Sequence, residues 1–390
     1  MTDNVIAFDS WMRDGFVELN NDLERLYWAQ EDKANVDEVG DDVKKTLVAE
    51  GNQLISSLLQ EGNTDEGFDA AFDVLGNVGL FMAACRRHEI TEPSREHVSP
   101  LTEASALAMQ IGASIGVTPR FATAHLTTHN KAVAGKYKRF TDLDAERIFV
   151  DYNTKGILAY KRAADALLKI KSIGISHPIA ADLLRVAHRA LQDVHESNSI
   201  LFSKLDTDGF FYQVRPYYKP HRVGQNIYRG ANAGDFAGIN VIDLLLGLCL
   251  ANEPSYSQLL VDKFLYMMPE DQQILRDCMR MTSFMDEFIA LSESCRHQSW
   301  FQEHLSLFID VCRMHGQTAQ QHHNQLVEKY IAKPANDMVE NHLDKVTASG
   351  PPLPVLLGAL EKLRDRRCAA QRNDIYTRYE DMQMLEAMLG

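Results

Sequence analysis

The stretch His323-Asn324-Gln325-Leu326-Val327-Glu328-Lys329-Tyr330-Ile331, closed by Pro334-Ala335, is where the fold class is read. Leu326, Val327, Tyr330 and Ile331 follow His323 at the spacing of a single helix face. Pro334 disfavours helical backbone at the residue before it and ends the run. An imidazole on such an apolar face needs a partner, because leaving a buried polar group unpaired costs about 1–3 kcal/mol. A hydrogen bond within the helix bundle would supply one. Iron would supply another: a neutral imidazole can give one ring nitrogen to haem iron and leave the opposite face open. His322, turned about 100° away on the same helix, is the competing ligand.

The same periodicity runs through almost every other segment. Residues 11–30, 41–60, 65–88, 101–115, 142–171, 241–250, 258–266, 272–293, 301–331, 336–345 and 353–389 all read as helices. Only 22 glycines and 12 prolines punctuate 390 residues, which favours long helices over many short strands. The expectation is an all-α, multi-helix bundle. A chain this long exceeds one compact core. The segment from Glu89 to Pro100, with Pro93 and Ser94 inside it, is the best linker. It divides a small N-terminal helical domain, 1–98, from a larger helical domain, 99–390.

A net charge of −14 repels a phosphate backbone, so nucleic acid is excluded as a partner unless a basic patch exists. The densest candidate, residues 362–372, is interrupted by acidic and apolar residues and reads as a solvated helix face. The six cysteines form no CxxC and sit in apolar helical contexts, as expected of free thiols in a reducing compartment. The N-terminus lacks the form of a signal peptide. The apolar runs 74–85 and 241–251 are too short to span a bilayer. A cytoplasmic protein without a membrane partner is expected. The acidic, partly apolar N-terminal helices would allow a homodimer.

Between Leu205 and Asn240 the helical pattern breaks into glycines, prolines, aromatics and arginines. A loop this long in a helical chain, and this aromatic, is a functional candidate. Arg215 lies in Phe210-Phe211-Tyr212-Gln213-Val214-Arg215-Pro216-Tyr217-Tyr218. An arginine among rings can clamp a carboxylate by two parallel hydrogen bonds, or simply brace the loop by stacking. The run Gly230-Ala231-Asn232-Ala233-Gly234 leaves room for a ligand or makes a plain turn, and it is not a dinucleotide fingerprint. His125 and His129 share a helix face, but no glutamate follows His125 and no third metal ligand is evident. There is no P-loop and no nucleophile motif.

Taken together, these residues resemble the indoleamine/tryptophan 2,3-dioxygenase superfamily of haem enzymes, and within it the monodechloroaminopyrrolnitrin synthase branch. His323, Gln325, Val327, Lys329-Tyr330-Ile331 and Pro334-Ala335 are similar to the proximal-ligand helix of animal indoleamine dioxygenases. The resemblance selects His323 over His322. Phe210-Phe211 with Arg215 matches the family's substrate-wall rings and carboxylate-binding arginine. Ala231-Asn232-Ala233-Gly234 lies where the family has a small-residue loop over the haem, and Asp243-Leu244-Leu245-Leu246-Gly247 continues a shared helix. Residues 79–84 match the distal-helix motif. Arg215-Pro216-Tyr217-Tyr218, Pro220, Arg222-Val223-Gly224 and Pro119-Arg120 with His125, Thr127 and Asn130 favour the pyrrolnitrin branch. The likeness runs from about residue 70 to 350.

The resemblance implies non-covalent haem b bound in the larger domain, O2 as co-substrate and a small-molecule indole substrate. His323 would be the proximal iron ligand, with Val327, Ala231 and Asn232 at the cofactor. Arg215 would orient a carboxylate, and Phe81, Phe210, Phe211, Ala233 and Gly234 would line the substrate. Three functions are compatible with it: oxidative opening of the indole ring, oxidative rearrangement of a tryptophan derivative in secondary metabolism, and non-catalytic haem binding. Ala84 stands at the distal position that carries serine or histidine in relatives. Thr347-Ala348-Ser349-Gly350 matches the family's late substrate loop only weakly, and Lys219 replaces a serine. The weak loop match turns the reading away from free tryptophan, and with Ala84 it favours rearrangement or non-catalytic haem binding over ring opening.

Overall fold

The computed structural model describes residues 2–62, 66–231, 234–325 and 353–389. The architecture is helical, as the periodicity predicts. The elements are α1 (Asp3–Arg13), α2 (Gly15–Trp28), α3 (Asp41–Glu61), α4 (Phe68–Arg87), α5 (Thr102–Ile115), α6 (Thr123–Leu126), α7 (Asp144–Ile173) and α8 (Ile179–Lys204). After the irregular stretch come α9 (Gly238–Leu246), α10 (Pro254–Phe264), α11 (Pro269–Cys278), α12 (Phe284–Cys295), α13 (Ser299–Gln321), α14 (Leu353–Arg367) and α15 (Tyr379–Ala387). The only sheet among the described residues is a hairpin of β1 (His221–Val223) and β2 (Asn226–Tyr228), in which Arg222 pairs with Ile227.

Several expected helices are broken in two. The run 11–30 divides at Asp14, whose φ of −123° and ψ of −88° leave the helical region, and α2 restarts at Gly15. The run 272–293 divides where the Ser283 side chain accepts the Asp286 amide at 3.2 Å and caps α12. The run 353–389 divides between α14 and α15. The helix expected at 336–345 lies outside the described residues.

The chain forms two compact units. One is built from Met1–Asp151 with Lys204–Ala233, the other from Tyr152–Ser203, Gly234–Ala332 and Leu353–Gly390. The segment Glu89 to Pro100, expected to separate 1–98 from 99–390, lies inside the first unit and joins α4 to α5, which pack on one another.

In the first unit α4 is the central helix. Its sequence is apolar nearly all round, so it offers no solvent face and is enclosed by α1, α3 and α5. It is the one described helix long and apolar enough to cross a membrane, and 78% of its apolar window is covered by protein. Each Leu or Phe buried there contributes roughly 1.5–3 kcal/mol. Phe81 stacks over Gly51 of α3, where a Cβ would stand 2.3 Å from the ring, so Gly51→Val would force the two helices apart. The second unit has its own core. It is built on α9, buried on all sides, with Leu184, Leu191, Phe284, Phe288, Phe301 and Phe308 among the residues around it.

Candidate functional site

The irregular stretch of the first unit is an ordered turn built around Arg215. Asp206 starts it: its carboxylate accepts the Gly209 amide at 2.7 Å. A π-helical turn over Gly209–Val214 follows, then a 3-10 turn over Arg215–Tyr218. Pro216 has no N–H to continue a regular helix. The hairpin then returns the chain so closely that a Cβ on Gly230 would lie 1.7 Å from the Tyr218 carbonyl oxygen, which only glycine permits.

Arg215 is 6% exposed. Its guanidinium carbon lies 5.6 Å from the centre of the Phe211 ring, and its side chain makes no hydrogen bond or ion pair among the described residues. Burial alone lowers its pKa to about 10, which leaves it charged at neutral pH. Burying a charge without a counter-charge is costly, and proteins seldom do so without a use for it.

The rings expected to wall the substrate pack into the turn and its neighbours. Phe211 is fully buried against Tyr212 and Ala34. Phe210 packs on Phe149 at 5.1 Å, and Phe149 meets Tyr218 at 5.8 Å. Phe149 and Tyr218 therefore belong to the same ring cluster, a link that a linear motif does not carry. Ala231 is buried, while Asn232 and Ala233 lie outside the described residues. Gly234 belongs to the second unit. Phe81, expected to line the substrate, instead packs on Gly51 and on Trp11 at 6.3 Å, inside the α1–α3–α4 core.

The turn that carries Arg215 is tied to α2 and α4 by buried polar groups. Arg87 donates to both oxygens of Glu24 at 2.8 and 3.0 Å, and its Nη2 also donates to the Tyr212 carbonyl at 2.9 Å. Burial works against both charges. Glu24 more than restores that of Arg87, whose pKa is held above its ordinary value. At the other end of the turn the Tyr217 hydroxyl donates to Asn20 Oδ1 at 3.2 Å. His88 Nε2 lies 2.7 Å from the same oxygen, so that nitrogen carries the proton and Nδ1 accepts from the Tyr27 hydroxyl at 2.9 Å. Burial, with Arg87 close by, keeps His88 neutral.

In the second unit α13 ends at Gln321, and a π-helical turn carries the chain on through His322, His323, Asn324 and Gln325. His323 is half-buried, with Nδ1 3.4 Å from Arg364 Nη1, and His322 is exposed. Val327 and the rest of the apolar face, Leu326, Tyr330 and Ile331, lie outside the described residues. Upstream, α13 is anchored by His315, whose Nε2 lies 2.7 Å from the fully buried Asp243. Arg367 donates to both oxygens of that carboxylate at 2.8 Å, and the Tyr256 hydroxyl adds a third donor at 2.8 Å. Burial would raise the Asp243 pKa, but Arg367 and His315 hold it below the usual carboxylate range.

The other candidates dissolve into structure. His125 uses both ring nitrogens: Nδ1 accepts the Ala122 amide at 2.8 Å and Nε2 meets the Phe72 carbonyl at 2.8 Å. It stacks on Phe72 at 3.8 Å, and burial lowers its pKa to about 3. It has no nitrogen left for a metal. Among the described residues no cluster of three or more histidine, cysteine or acidic side chains could hold an ion. The basic run 362–372 is neutralised locally, with Arg364 on Asp365 and Arg372 on Asp374.

The family model of monodechloroaminopyrrolnitrin synthase PrnB matches residues 2–389, nearly the whole chain. The two units, the Arg215 turn and the α13 terminus thus all fall within one family match. The chain belongs to the monodechloroaminopyrrolnitrin synthase family, enzymes that are haem-dependent oxygenases of the indoleamine and tryptophan dioxygenase type.

Proposed function

We propose that this enzyme is a haem-b oxygenase that rearranges a carboxylate-bearing tryptophan derivative in secondary metabolism, using O2. The observation that carries the substrate class is Arg215, a buried guanidinium with no counter-ion among the described residues. Such a group takes a carboxylate through two parallel N–H···O bonds. Phe210, Phe211, Phe149 and Tyr218 give the indole aromatic walls. Ala233 and Gly234 are small enough to admit it.

What supports a cofactor site at the α13 terminus is a half-buried imidazole, the one neutral nitrogen donor of that turn that the family likeness selects. His323 would hold the iron, with Val327, Ala231 and Asn232 at the porphyrin. No CxxC exists for covalent attachment, so the haem would be b-type. When bound, haem supplies the activation of O2, and the protein supplies binding, orientation and exclusion of water. Arg364 can only donate, so its 3.4 Å contact requires a bare Nδ1 on His323. Were His323 to hold the iron, Arg364 would have to release this contact, because a ring that gives one nitrogen to a metal carries its proton on the other. Ala84 offers no group to move a proton.

An absorption spectrum of the purified protein, before and after hemin addition, tests the cofactor. His323→Ala is expected to abolish haem retention or shift the spectrum sharply. A fully loaded variant with an unchanged spectrum would reject the ligand. Ring-opening dioxygenation is the second reading, and labelled O2 with product analysis separates the two. The absent distal side chain at Ala84 and the weak match at 347–350 favour rearrangement.

A further inference from the structure

We infer that Arg87, locked by Glu24, is the positioning residue for Arg215, and that this buried pair sets the carboxylate specificity of the enzyme from behind the turn. This rests on the reading of Arg215 as the carboxylate clamp.

The argument starts from the shape of the Arg215 turn. Residues 209–214 are π-helical and 215–218 are 3-10, so few of their hydrogen bonds follow the regular helical ladder. The turn therefore needs outside support to hold one guanidinium direction. It receives that support at two points. Three residues before Arg215, the Tyr212 carbonyl accepts from Arg87 at 2.9 Å. Two residues after it, the Tyr217 hydroxyl reaches Asn20, with the ring stacked on Phe140 at 4.3 Å.

Arg87 cannot swing away from the first point. Its fork is held by both oxygens of Glu24, its guanidinium carbon lies 4.9 Å from the Tyr27 ring centre, and the pair is buried, Glu24 completely. Arg87 Nη2 divides its donors between Glu24 and the Tyr212 carbonyl, so one rigid group fixes α2, α4 and the turn together. A planar five-donor fork can do this, whereas a lysine ammonium on a flexible stem cannot hold the same geometry. A clamp misplaced by a fraction of an ångström loses the bidentate match that gives it selectivity.

The experiment is an optical titration of the haem-loaded protein with two probes, indole-3-propionate and indole. They differ in the carboxylate. The variants are Arg215→Met and the double change Glu24→Gln with Arg87→Met, which removes both buried charges at similar volume. Arg215→Met is expected to erase the preference for indole-3-propionate. The double variant is expected to weaken indole-3-propionate by about tenfold and indole by less than about twofold. Arg87→Lys is expected to restore only part of the preference. If Arg215→Met leaves the preference intact, the clamp reading fails and this inference with it. If Arg215→Met erases the preference and the double variant keeps it, the positioning role alone is overturned. Equal losses for both probes in the double variant would mark a merely structural pair and also overturn it. Should the double variant not fold, Arg87→Lys alone keeps a charge opposite Glu24 and removes the fork that reaches the Tyr212 carbonyl. A loss of about threefold for indole-3-propionate alone is expected there, and no change overturns the inference.

Discussion

Arg87 and Arg215 belong to the same unit and are almost equally shut off from water, at 3% and 6% exposure, yet their electrostatics are opposite. Arg87 meets a carboxylate square-on, and its pKa is held above the ordinary value. Arg215 meets the face of one ring, and burial lowers its pKa to about 10. Arg367 in the second unit repeats the first pattern, with Asp243 on its fork. The difference separates two uses of a buried cation. Where the fold supplies the counter-charge, the arginine joins helices. At Arg215 the described residues supply none, and the proposed function reads that gap as the place of a ligand's carboxylate.

The largest way to break this contrast is to make Arg87 resemble Arg215. Glu24→Ala leaves a buried guanidinium without its carboxylate and is expected to destabilise the protein by about 3–5 kcal/mol. Urea unfolding followed by circular dichroism measures it. The paired change Glu24→Gln with Arg87→Met should recover most of the loss, because an apolar or neutral pair no longer strands a charge. A loss below about 1 kcal/mol for Glu24→Ala would mean that the pair is dispensable, and the contrast with Arg215 would lose its meaning.

A smaller effect, per unit of pH, comes from the neutral ring beside Arg87. His88 is held well below 6.5 by burial and by Arg87, and His125 is lowered to about 3 by burial and by Lys138. In both cases the folded pKa lies below the unfolded one. The unfolded chain therefore binds more protons as the pH falls below 6.5, and stability present above that value drains away toward acid. Each ring contributes roughly 1.4 kcal/mol per pH unit once well below its unfolded pKa. His88→Gln should make the acid slope shallower by one proton. An unchanged slope would show that His88 does not resist protonation, and the support beneath Tyr217 would need another account.

How much of this could be read from the sequence follows from the range of each interaction. Helix periodicity is local, so α3, α5 and α7 were legible to within a few residues, from 41–60, 101–115 and 142–171. The breaks at Asp14 and Ser283 were not, because apolar spacing continues across them while one dihedral or one cap ends the helix. The setting of Arg215 among rings was legible because those rings lie within five residues of it. Phe149, 61 residues before Phe210, was not. Nor was the Glu24–Arg87 pair, whose partners are 63 residues apart and whose arginine closes an apolar helix as a solvated end would. The packing of Phe81 was illegible for another reason. A helix apolar on every side gives no phase, so nothing local said whether that ring faced the substrate or Trp11.

The smallest effect has the most diagnostic sign. If Arg215 is held charged and unpaired for the benefit of a ligand, its removal should help the ligand-free protein. Methionine fills similar space, has no charge to desolvate and leaves the Phe211 face in apolar contact. Arg215→Met is therefore expected to raise the stability of ligand-free protein by up to about 1 kcal/mol, a gain typical of relieving functional strain. The same change at Arg87 strands Glu24 and should lower stability. Two equivalent substitutions in one unit thus shift the unfolding midpoint in opposite directions. The measurement is a thermal or urea midpoint on both variants without ligand, then with indole-3-propionate. Wild type should gain stability from that ligand and Arg215→Met should gain little, since only the protein that carries the guanidinium binds it through charge. A clear destabilisation by Arg215→Met without ligand would show that the arginine braces its turn through Phe211, and the contrast would reduce to two structural residues.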